Sequence, residues 1–236
     1  MSLEYLNSKK QIKRNKKLQK IYLDRRARYI WKFPSLGLSY CEIPKTGSSS
    51  TKTVLFRLNY KLESDYDLKI GGGQLARAFP DSVVKQFEAD DFLDRILIIY
   101  RDPIARVKSA YRSIFLGRQG LSGTLSEYFE EHLLGYLESE TSNGLFNHHK
   151  PMTWFFPKAL LQDHRSIFVE TADLNELPET LSLDMTSVPT EKNSMPHLLN
   201  VNKRLGEIDM SDAEIKIALG PRFDDDFLMF NTLRKD

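Results

Sequence analysis

One stretch constrains the fold of this chain more than any other. A strand-like segment at residues 38–43 runs directly into residues 44–50, Pro-Lys-Thr-Gly-Ser-Ser-Ser. Apolar side chains then recur at helical spacing, at Val54, Leu55 and Leu58. This order predicts a strand, a tight loop and the start of a helix. Such a loop turns unpaired backbone N–H groups and the positive end of the helix dipole toward one point, which suits a phosphate or sulfate group.

The side chains of the loop favour the same interpretation. Lys45 adds a mobile positive charge, and Gly47 lets the backbone approach a ligand closely. The hydroxyl donors of the loop are Thr46, Ser48, Ser49 and Ser50. A kinase-type P-loop, G-x-x-x-x-G-K-S/T, has its lysine after the second glycine, whereas Lys45 precedes the only glycine here. Taken alone, the loop is equally compatible with a serine-rich helix cap beside a solvated lysine.

A second strand–turn–helix unit begins at residues 95–100, Arg-Ile-Leu-Ile-Ile-Tyr. Such a short, continuous apolar run is typical of a central parallel strand. Asp102 is a favourable N-cap, and Pro103 a favourable first helical residue. Arg101 lies at the carboxyl end of the strand, where ligands bind in open α/β sheets, and Ser109 follows in the helix. A surface ion pair is the alternative role for Arg101.

The remaining chain gives less specific predictions. Residues 165–170 read as a third parallel strand, and residues 80–91 as a helix. Residues 71–76 match a dinucleotide-binding pattern, but the polar residues before them predict a surface loop instead. Further predictions are helices opened by the capping boxes at 124–127 and 211–214, a loop region over 176–200, and an apolar cluster over 223–230 with Asp224, Asp225 and Asp226 on its exposed side.

Composition bounds the class of protein. The chain has 236 residues, a net charge of +2 and one cysteine, Cys41, which excludes an internal disulfide. It reads as soluble and globular, and nucleic acid is not an expected partner. No apolar run approaches the ~18 residues of a membrane span, and no secretory signal is evident, so a cytoplasmic protein is expected. We expect residues 33–236 to form a single domain after a basic helical segment at 1–32. That segment is either a packed charged helix or an arm for a polyanion or membrane surface.

Together, the two units resemble the sulfotransferases that use 3′-phosphoadenosine 5′-phosphosulfate (PAPS). Residues 44–50 are similar to that family's 5′-phosphosulfate loop, usually written PKTGSTS. Residues 100–111 are similar to its 3′-phosphate segment, R-D-P-x-x-R-x-x-S-x-Y. Residues 148–153 resemble the H-W-x-P-Q segment of the carbohydrate branch (sulfotransferase family 2 type), with His149 and Met152 in place of Trp and Gln. The resemblance implies an α/β fold, P-loop-NTPase-like, with three α/β/α layers around a central parallel sheet.

The resemblance also implies roles for individual residues. Lys45 would be the electrostatic catalyst, and the 5′-phosphate and sulfate would be held by Thr46, Gly47, Ser48, Ser49 and Ser50. Arg101 and Ser109 would hold the 3′-phosphate. His148 would be the general base, with Glu170 in reserve, and no metal would be required. The acceptor would be a carbohydrate or other hydroxyl compound, and the product adenosine 3′,5′-bisphosphate (PAP). The chain would be a compact bacterial or viral relative. A non-catalytic binding module and a P-loop-like nucleotide kinase remain the alternatives.

Overall fold

The structure is a computed structural model that describes residues 30–63, 66–68, 72–83, 92–138, 147–183 and 207–234. Residues 1–29 of the predicted basic segment and most of the predicted loop region at 176–200 lie outside the described residues. The chain divides into two compact units. The sheet unit contains the described residues of 25–100 and 158–201, and the helical unit those of 101–157 and 202–236.

The strands and α-helices of the described residues follow one another in this order: β1 Ile30–Phe33, β2 Leu38–Cys41, α1 Ser48–Tyr60, α2 Gly72–Ala78, β3 Arg95–Tyr100, α3 Pro103–Ala110, α4 Leu125–Glu127, α5 Leu134–Glu138, β4 Ser166–Glu170, α6 Leu177–Thr180, α7 Asp212–Leu219 and α8 Asp224–Leu233. Two π-helical segments, Tyr111–Arg118 and Tyr128–Leu133, continue α3 and α4. Short 3-10 turns include Pro80–Ser82 and Met152–Trp154.

Among the described residues of the sheet unit, four strands form one sheet in the order β1-β2-β3-β4. β2, β3 and β4 are parallel, whereas β1 pairs antiparallel with β2. β2 is buried at every position, and β3 at every position after Arg95, as expected for central parallel strands. The mostly parallel sheet with its helices confirms the α/β class. The edge strand β1 was not predicted, and it includes residues that the sequence assigned to the basic segment.

Helix α1 packs its aromatic side chains against the sheet. The ring of Phe56 lies edge-on to Phe33 and Trp31, with centroids 5.0 and 5.4 Å apart. The helix ends at Lys61, which takes the left-handed conformation and donates its backbone N–H to Arg57. Because α1 follows β2 through a short loop, this packing fixes where the helix begins.

One prediction in the sheet unit is wrong, and a second is wrong over its first residues. The predicted surface loop at 71–76 is helical from Gly72, and Leu75 of that helix is buried in the core, which offsets the low helix propensity of the glycines. The predicted helix at 80–91 does not begin as one, because Pro80–Ser82 is a 3-10 turn and Val83 makes an isolated bridge to Trp31. Residues 84–91 lie outside the described residues.

The helical unit confirms both predicted capping boxes. Thr124 and Glu127 exchange side-chain and backbone hydrogen bonds at the start of α4, and Ser211 and Glu214 do so at the start of α7. One prediction here is wrong. Asp226 was placed on the exposed side of its apolar cluster, but it is fully buried because backbone N–H groups of residues 152 and 153 donate to it.

Candidate functional site

The loop between β2 and α1 has an unusual backbone. Lys45 has φ 72° and Gly47 has φ 82°, so two residues of this short turn are left-handed. Glycine adopts that conformation freely, but for a residue such as lysine it costs of order 1–3 kcal/mol. Strain of this kind persists only where the surroundings impose it, and it is concentrated at ligand-binding sites. The backbone therefore marks Lys45 as a candidate functional residue.

The N-terminus of α1 lacks the usual cap. Gly47 is the N-cap residue and has no side chain to accept from the first N–H groups, and no acidic residue lies in the first turn. The backbone N–H of Thr51 makes the first helical bond, to the carbonyl of Gly47 at 3.1 Å. The positive end of the helix is consequently not neutralised by a carboxylate of its own first turn, which suits an anion.

Ser50, in that first turn, carries the clearest local signal of a ligand. It is 1% exposed. Its hydroxyl has no hydrogen-bond partner in the described part of the chain. Burying a hydroxyl without a partner costs about 1–3 kcal/mol. A bound oxyanion at the helix N-terminus would give this hydroxyl an acceptor.

Other hydroxyls near the loop are used by the protein itself. The Thr46 hydroxyl donates to the carbonyl of Ile43 at 2.8 Å and closes the turn. The hydroxyls of Thr51 and Thr53 donate back to the carbonyls of Gly47 and Ser49. The Ser50 hydroxyl differs from these, because it is buried and makes no hydrogen bond within the described part of the chain.

A buried charged cluster lies behind the loop, and sequence reasoning missed it. Glu42 accepts from the Lys52 ammonium at 2.6 Å and from the Trp31 indole N–H at 2.7 Å. The same ammonium lies 5.7 Å from the centre of the Trp31 ring. Because Glu42 precedes the loop and Lys52 lies in α1, this contact ties both ends of the loop to β1. The available signal was a lone carboxylate in an apolar stretch, which needs a buried partner.

In the helical unit, Asp102 caps α3 as predicted. Its carboxylate accepts from the backbone N–H of Ala105 at 2.7 Å, and Pro103 is the first helical residue. Arg101, which immediately precedes this cap, is half-buried. Burial lowers its pKa, the charge of Asp102 acts in the opposite direction, and the nearby cation Arg112 lowers it again. Arginine nevertheless stays protonated in proteins, so this is a site of concentrated positive charge.

Arg112 adds to that charge, although sequence reasoning did not single it out. Its Nε atom is buried and has no hydrogen-bond partner among the described residues. Arg112 follows Ser109 by one helical turn, at the point where α3 widens into the π-helical segment Tyr111–Arg118. Ser109 is half-buried, and its carbonyl accepts from the hydroxyl of Ser113. Ser109 and Arg112 thus lie in the helical run that begins at Pro103, and Arg101 lies two residues before that run.

The structure distinguishes the two adjacent histidines. His149 is 1% exposed. It shares a hydrogen bond with the Tyr128 hydroxyl and stacks on Tyr136 with ring centroids 4.6 Å apart. His148 is only half-buried. His149 is therefore a packed core residue, and His148 is the histidine of the pair that is accessible for chemistry. Glu170, the reserve base, ends β4 opposite Tyr100 of β3.

The predicted site residues fall in both units. Lys45 to Ser50 and Glu170 belong to the sheet unit, and Arg101, Ser109 and His148 belong to the helical unit. Within the described residues, no group of three or more His, Cys, Asp or Glu side chains is arranged to hold a metal ion. None of the helices in the described ranges is both long enough and apolar enough to cross a membrane.

Comparison with known proteins assigns the family. The model of the Sulfotransferase family matches residues 28–231, which is most of the chain and includes the loop, the Arg101 segment and the His148 segment. Comparison with curated proteins finds no match, and comparison with solved structures finds none either. On the extent of the family match, the chain belongs to the sulfotransferase family.

Proposed function

We propose that this sulfotransferase moves a sulfuryl group from PAPS to an acceptor hydroxyl, with a carbohydrate as the acceptor. The observation that carries the proposal is the N-terminus of α1. There the helix has no side-chain cap, and the Ser50 hydroxyl is buried without a partner among the described residues. Lys45, held in a left-handed conformation, is part of the same loop. This combination fits the phosphosulfate end of the donor.

Arg101 and Ser109 bind the 3′-phosphate in this proposal, and Arg112 adds a second guanidinium. The positive charge of Arg112 contributes to the lowered pKa of Arg101, so a doubly charged phosphate beside Arg101 would offset that repulsion. Arginine suits this role because its planar fork matches phosphate oxygens in a bidentate way. Recognition of the 3′-phosphate distinguishes PAPS from ATP and AMP, which lack it.

The chemistry follows from where charge develops. The acceptor oxygen forms a bond to sulfur while the bond from sulfur to the 5′-phosphate oxygen breaks, which leaves negative charge on that oxygen. Lys45 and the backbone N–H groups of the α1 N-terminus stabilise that charge, an effect worth about 3–4 kcal/mol for one well-placed donor. His148 takes the proton of the attacking hydroxyl, a role that suits histidine because the unperturbed pKa of an imidazole is ~6.5.

The choice of a carbohydrate acceptor comes from the segment that contains His148. It rests on the resemblance of residues 148–153 to the segment of the carbohydrate branch. In that segment the structure places His149 in the core, packed on Tyr128 and Tyr136, where the branch has a tryptophan. An aromatic ring thus occupies this position in both, and a histidine can serve the same packing role. Acceptors are best sought by a screen of sugars and polysaccharides alongside simple alcohols and phenols.

Calorimetric binding of PAP, ATP and AMP tests the donor assignment. We expect PAP to bind at least about tenfold more tightly than ATP or AMP, without added Mg²⁺. Arg101→Ala should remove this preference, because it deletes the bidentate contact with the 3′-phosphate. Asp163→Ala is a suitable control, since Asp163 pairs with Arg165 at the surface of the sheet unit. Equal affinity for PAP and AMP in the wild type would refute the assignment. The nucleotide-kinase alternative is not favoured by the family match, and it predicts Mg²⁺-dependent turnover of ATP.

A further inference from the structure

Asp226 of α8 is a buried carboxylate that serves another segment of the helical unit. It is 0% exposed. Its Oδ2 atom accepts from the backbone N–H of Met152 at 2.6 Å. Its Oδ1 atom accepts from the backbone N–H of Thr153 at 2.9 Å and from the Thr153 hydroxyl at 2.8 Å. These N–H groups open the 3-10 turn Met152–Trp154, whose N-cap, Pro151, supplies no side-chain bond. Asp226 therefore caps this turn from a different helix.

Arg106 of α3 holds the same segment at a neighbouring point. It is fully buried, and its Nη1 atom donates to the carbonyl of Lys150 at 2.7 Å. The guanidinium also lies 5.9 Å from the centre of the Phe155 ring. The guanidinium is planar and rigid, so its N–H donors bond a backbone carbonyl in few orientations. The bond from Arg106 therefore restricts the position of the Lys150 carbonyl. Arg106 and Asp226 thus fix the backbone on both sides of Pro151.

The two charges also compensate each other within the helical unit. Burial raises the pKa of Asp226, whereas the backbone bond from Thr153 and the charge of Arg106 act in the opposite direction. Buried charged groups of this kind rarely add net stability over apolar residues of similar volume. We take their contribution to be conformational specificity in the segment that begins with His148 and runs into the 3-10 turn Met152–Trp154.

The side chains between His148 and Pro151 are anchored as well. His149 is bonded to Tyr128, and the Lys150 ammonium donates to the carbonyl of Leu137 at 2.6 Å. His148 is half-buried, whereas His149, Lys150 and Pro151 are buried. His148 is therefore the accessible end of a segment whose backbone and following side chains are held by hydrogen bonds.

We propose that Asp226 and Arg106 are positioning residues that hold segment 148–153, so that the His148 imidazole keeps one orientation toward the acceptor hydroxyl. This inference rests on the base role proposed for His148. The residues touch neither substrate nor reacting atoms, and they act on the reaction only through His148. A general base must lie within hydrogen-bond reach of the proton it removes, so a small displacement of this segment lowers turnover.

The first experiment compares Asp226→Asn with Asp224→Asn. Both changes remove one negative charge from the first turn of α8, but Asp224 is exposed. The readout is the Cε1–Hε1 signal of His148 in ¹³C-histidine-labelled protein, assigned with His148→Ala. We expect Asp226→Asn to move this signal most of the way to its position in the urea-unfolded chain, while the signal of exposed His164 stays in place. Asp224→Asn should move neither. An unchanged His148 signal in folded Asp226→Asn protein would overturn the inference.

A double-mutant cycle then separates positioning from general support of the fold. It measures kcat with PAPS and an acceptor found in the screen, normalised to the number of PAP-binding sites. We expect Asp226→Asn to lower kcat about tenfold in the wild type and to have no further effect in His148→Ala, because coupled residues are not additive. If Asp226→Asn lowers kcat by the same factor in the wild type and in His148→Ala, the inference is overturned. If Asp226→Asn does not fold, Thr153→Val removes a single bond to Asp226 and should give the same pattern with a smaller effect.

Failure of the proposed function can be distinguished from failure of the positioning role of Asp226. If the protein neither binds PAP nor turns over PAPS, the proposed function fails, but the His148 signal still reports whether Asp226 holds the segment. If PAP binds and PAPS is consumed while the His148 signal ignores Asp226→Asn, only the positioning inference fails. Arg106→Lys keeps the charge and loses the fork, and it should shift the His148 signal in the same direction as Asp226→Asn.

Discussion

The ammonium of Lys52 lies 2.6 Å from the carboxylate of Glu42, and both side chains are almost entirely buried. The pair joins the residue that precedes the candidate donor loop to the helix that follows it. Removing one partner of such a pair leaves the other charge buried and uncompensated, which costs about 3–5 kcal/mol. The buried Glu42–Lys52 ion pair therefore helps to hold the two ends of this loop in place.

We expect Lys52→Met to lower the free energy of unfolding by about 3–5 kcal/mol, measured by urea denaturation. The double variant Glu42→Gln, Lys52→Met should recover part of this loss, because no charge is then left unpaired. Lys108→Met is the control. It breaks an ion pair of the same 2.6 Å length with Asp212, but at the surface, where at most about 1 kcal/mol is expected. Equal effects for Lys52 and Lys108 would contradict this account.

The left-handed backbone of Lys45 gives a prediction that separates function from stability. Lys45→Gly and Lys45→Ala both remove the ammonium, so both should lower kcat by about 100-fold or more. Only glycine avoids the left-handed penalty, so Lys45→Gly should be about 1 kcal/mol more stable than Lys45→Ala. Thermal and urea unfolding measure the difference. Indistinguishable stability of the two variants would argue against strain at this position.

Removal of the Ser50 hydroxyl and removal of the Thr46 hydroxyl should change the free energy of unfolding in opposite directions. Ser50→Ala deletes a buried hydroxyl that has no hydrogen-bond partner among the described residues, so the free protein should gain about 1 kcal/mol of stability while its affinity for PAP falls. Thr46→Val deletes a hydroxyl bonded to Ile43 and should lose about 1 kcal/mol. Unfolding experiments without nucleotide test the signs, and calorimetry with PAP tests the affinity. A Ser50→Ala variant that is less stable and binds PAP normally would remove Ser50 from the site.

The adjacent histidines should also separate in their effects. His148→Gln should lower kcat by about 100-fold with unchanged affinity for PAP, since general bases contribute that much or more. His149→Gln should lower stability by about 1–3 kcal/mol, because it breaks the bond to Tyr128 and the stack on Tyr136. If His148→Gln keeps full turnover, Glu170→Gln becomes the variant to assay.

Local signals in the sequence were enough to predict the central strands and their loops. β3 was predicted at its observed bounds because a continuous apolar run marks a central strand, and Asp102 and Pro103 were read correctly because a cap acts within its own turn. β1 was missed because an antiparallel edge strand has no such run and here follows a basic stretch. Helix α2 was missed because its glycines have low helix propensity, and tertiary packing of Leu75 decides the outcome.

The parts of the candidate site that depend on contacts between residues far apart in the chain could not be predicted from the sequence. Asp226 was predicted to be exposed because it stands in a run of three aspartates, and nothing near it reveals the N–H groups of Met152 and Thr153. Glu42 and Lys52 are separated by a loop whose course the sequence does not specify. Arg112 was not singled out because no local pattern shows that its charge acts on Arg101. The residues of the loop itself were readable, because a strand, a turn and a helix N-terminus are consecutive in the chain.

The widening of α3 into a π-helical segment has a consequence for how this chain tolerates insertions and deletions. In the segment Tyr111–Arg118 the backbone N–H of Gln119 reaches back to the carbonyl of Ile114, the i→i+5 bond of a π-helix. A π turn contains about one residue more than an α turn, so this segment has more residues than an α-helix with the same number of turns. A one-residue deletion here can be absorbed by return to α-helical spacing, whereas the same deletion within α3 would change the orientation of Ser109 relative to the residues before the helix. Length variation among relatives is therefore expected after Tyr111 rather than before it.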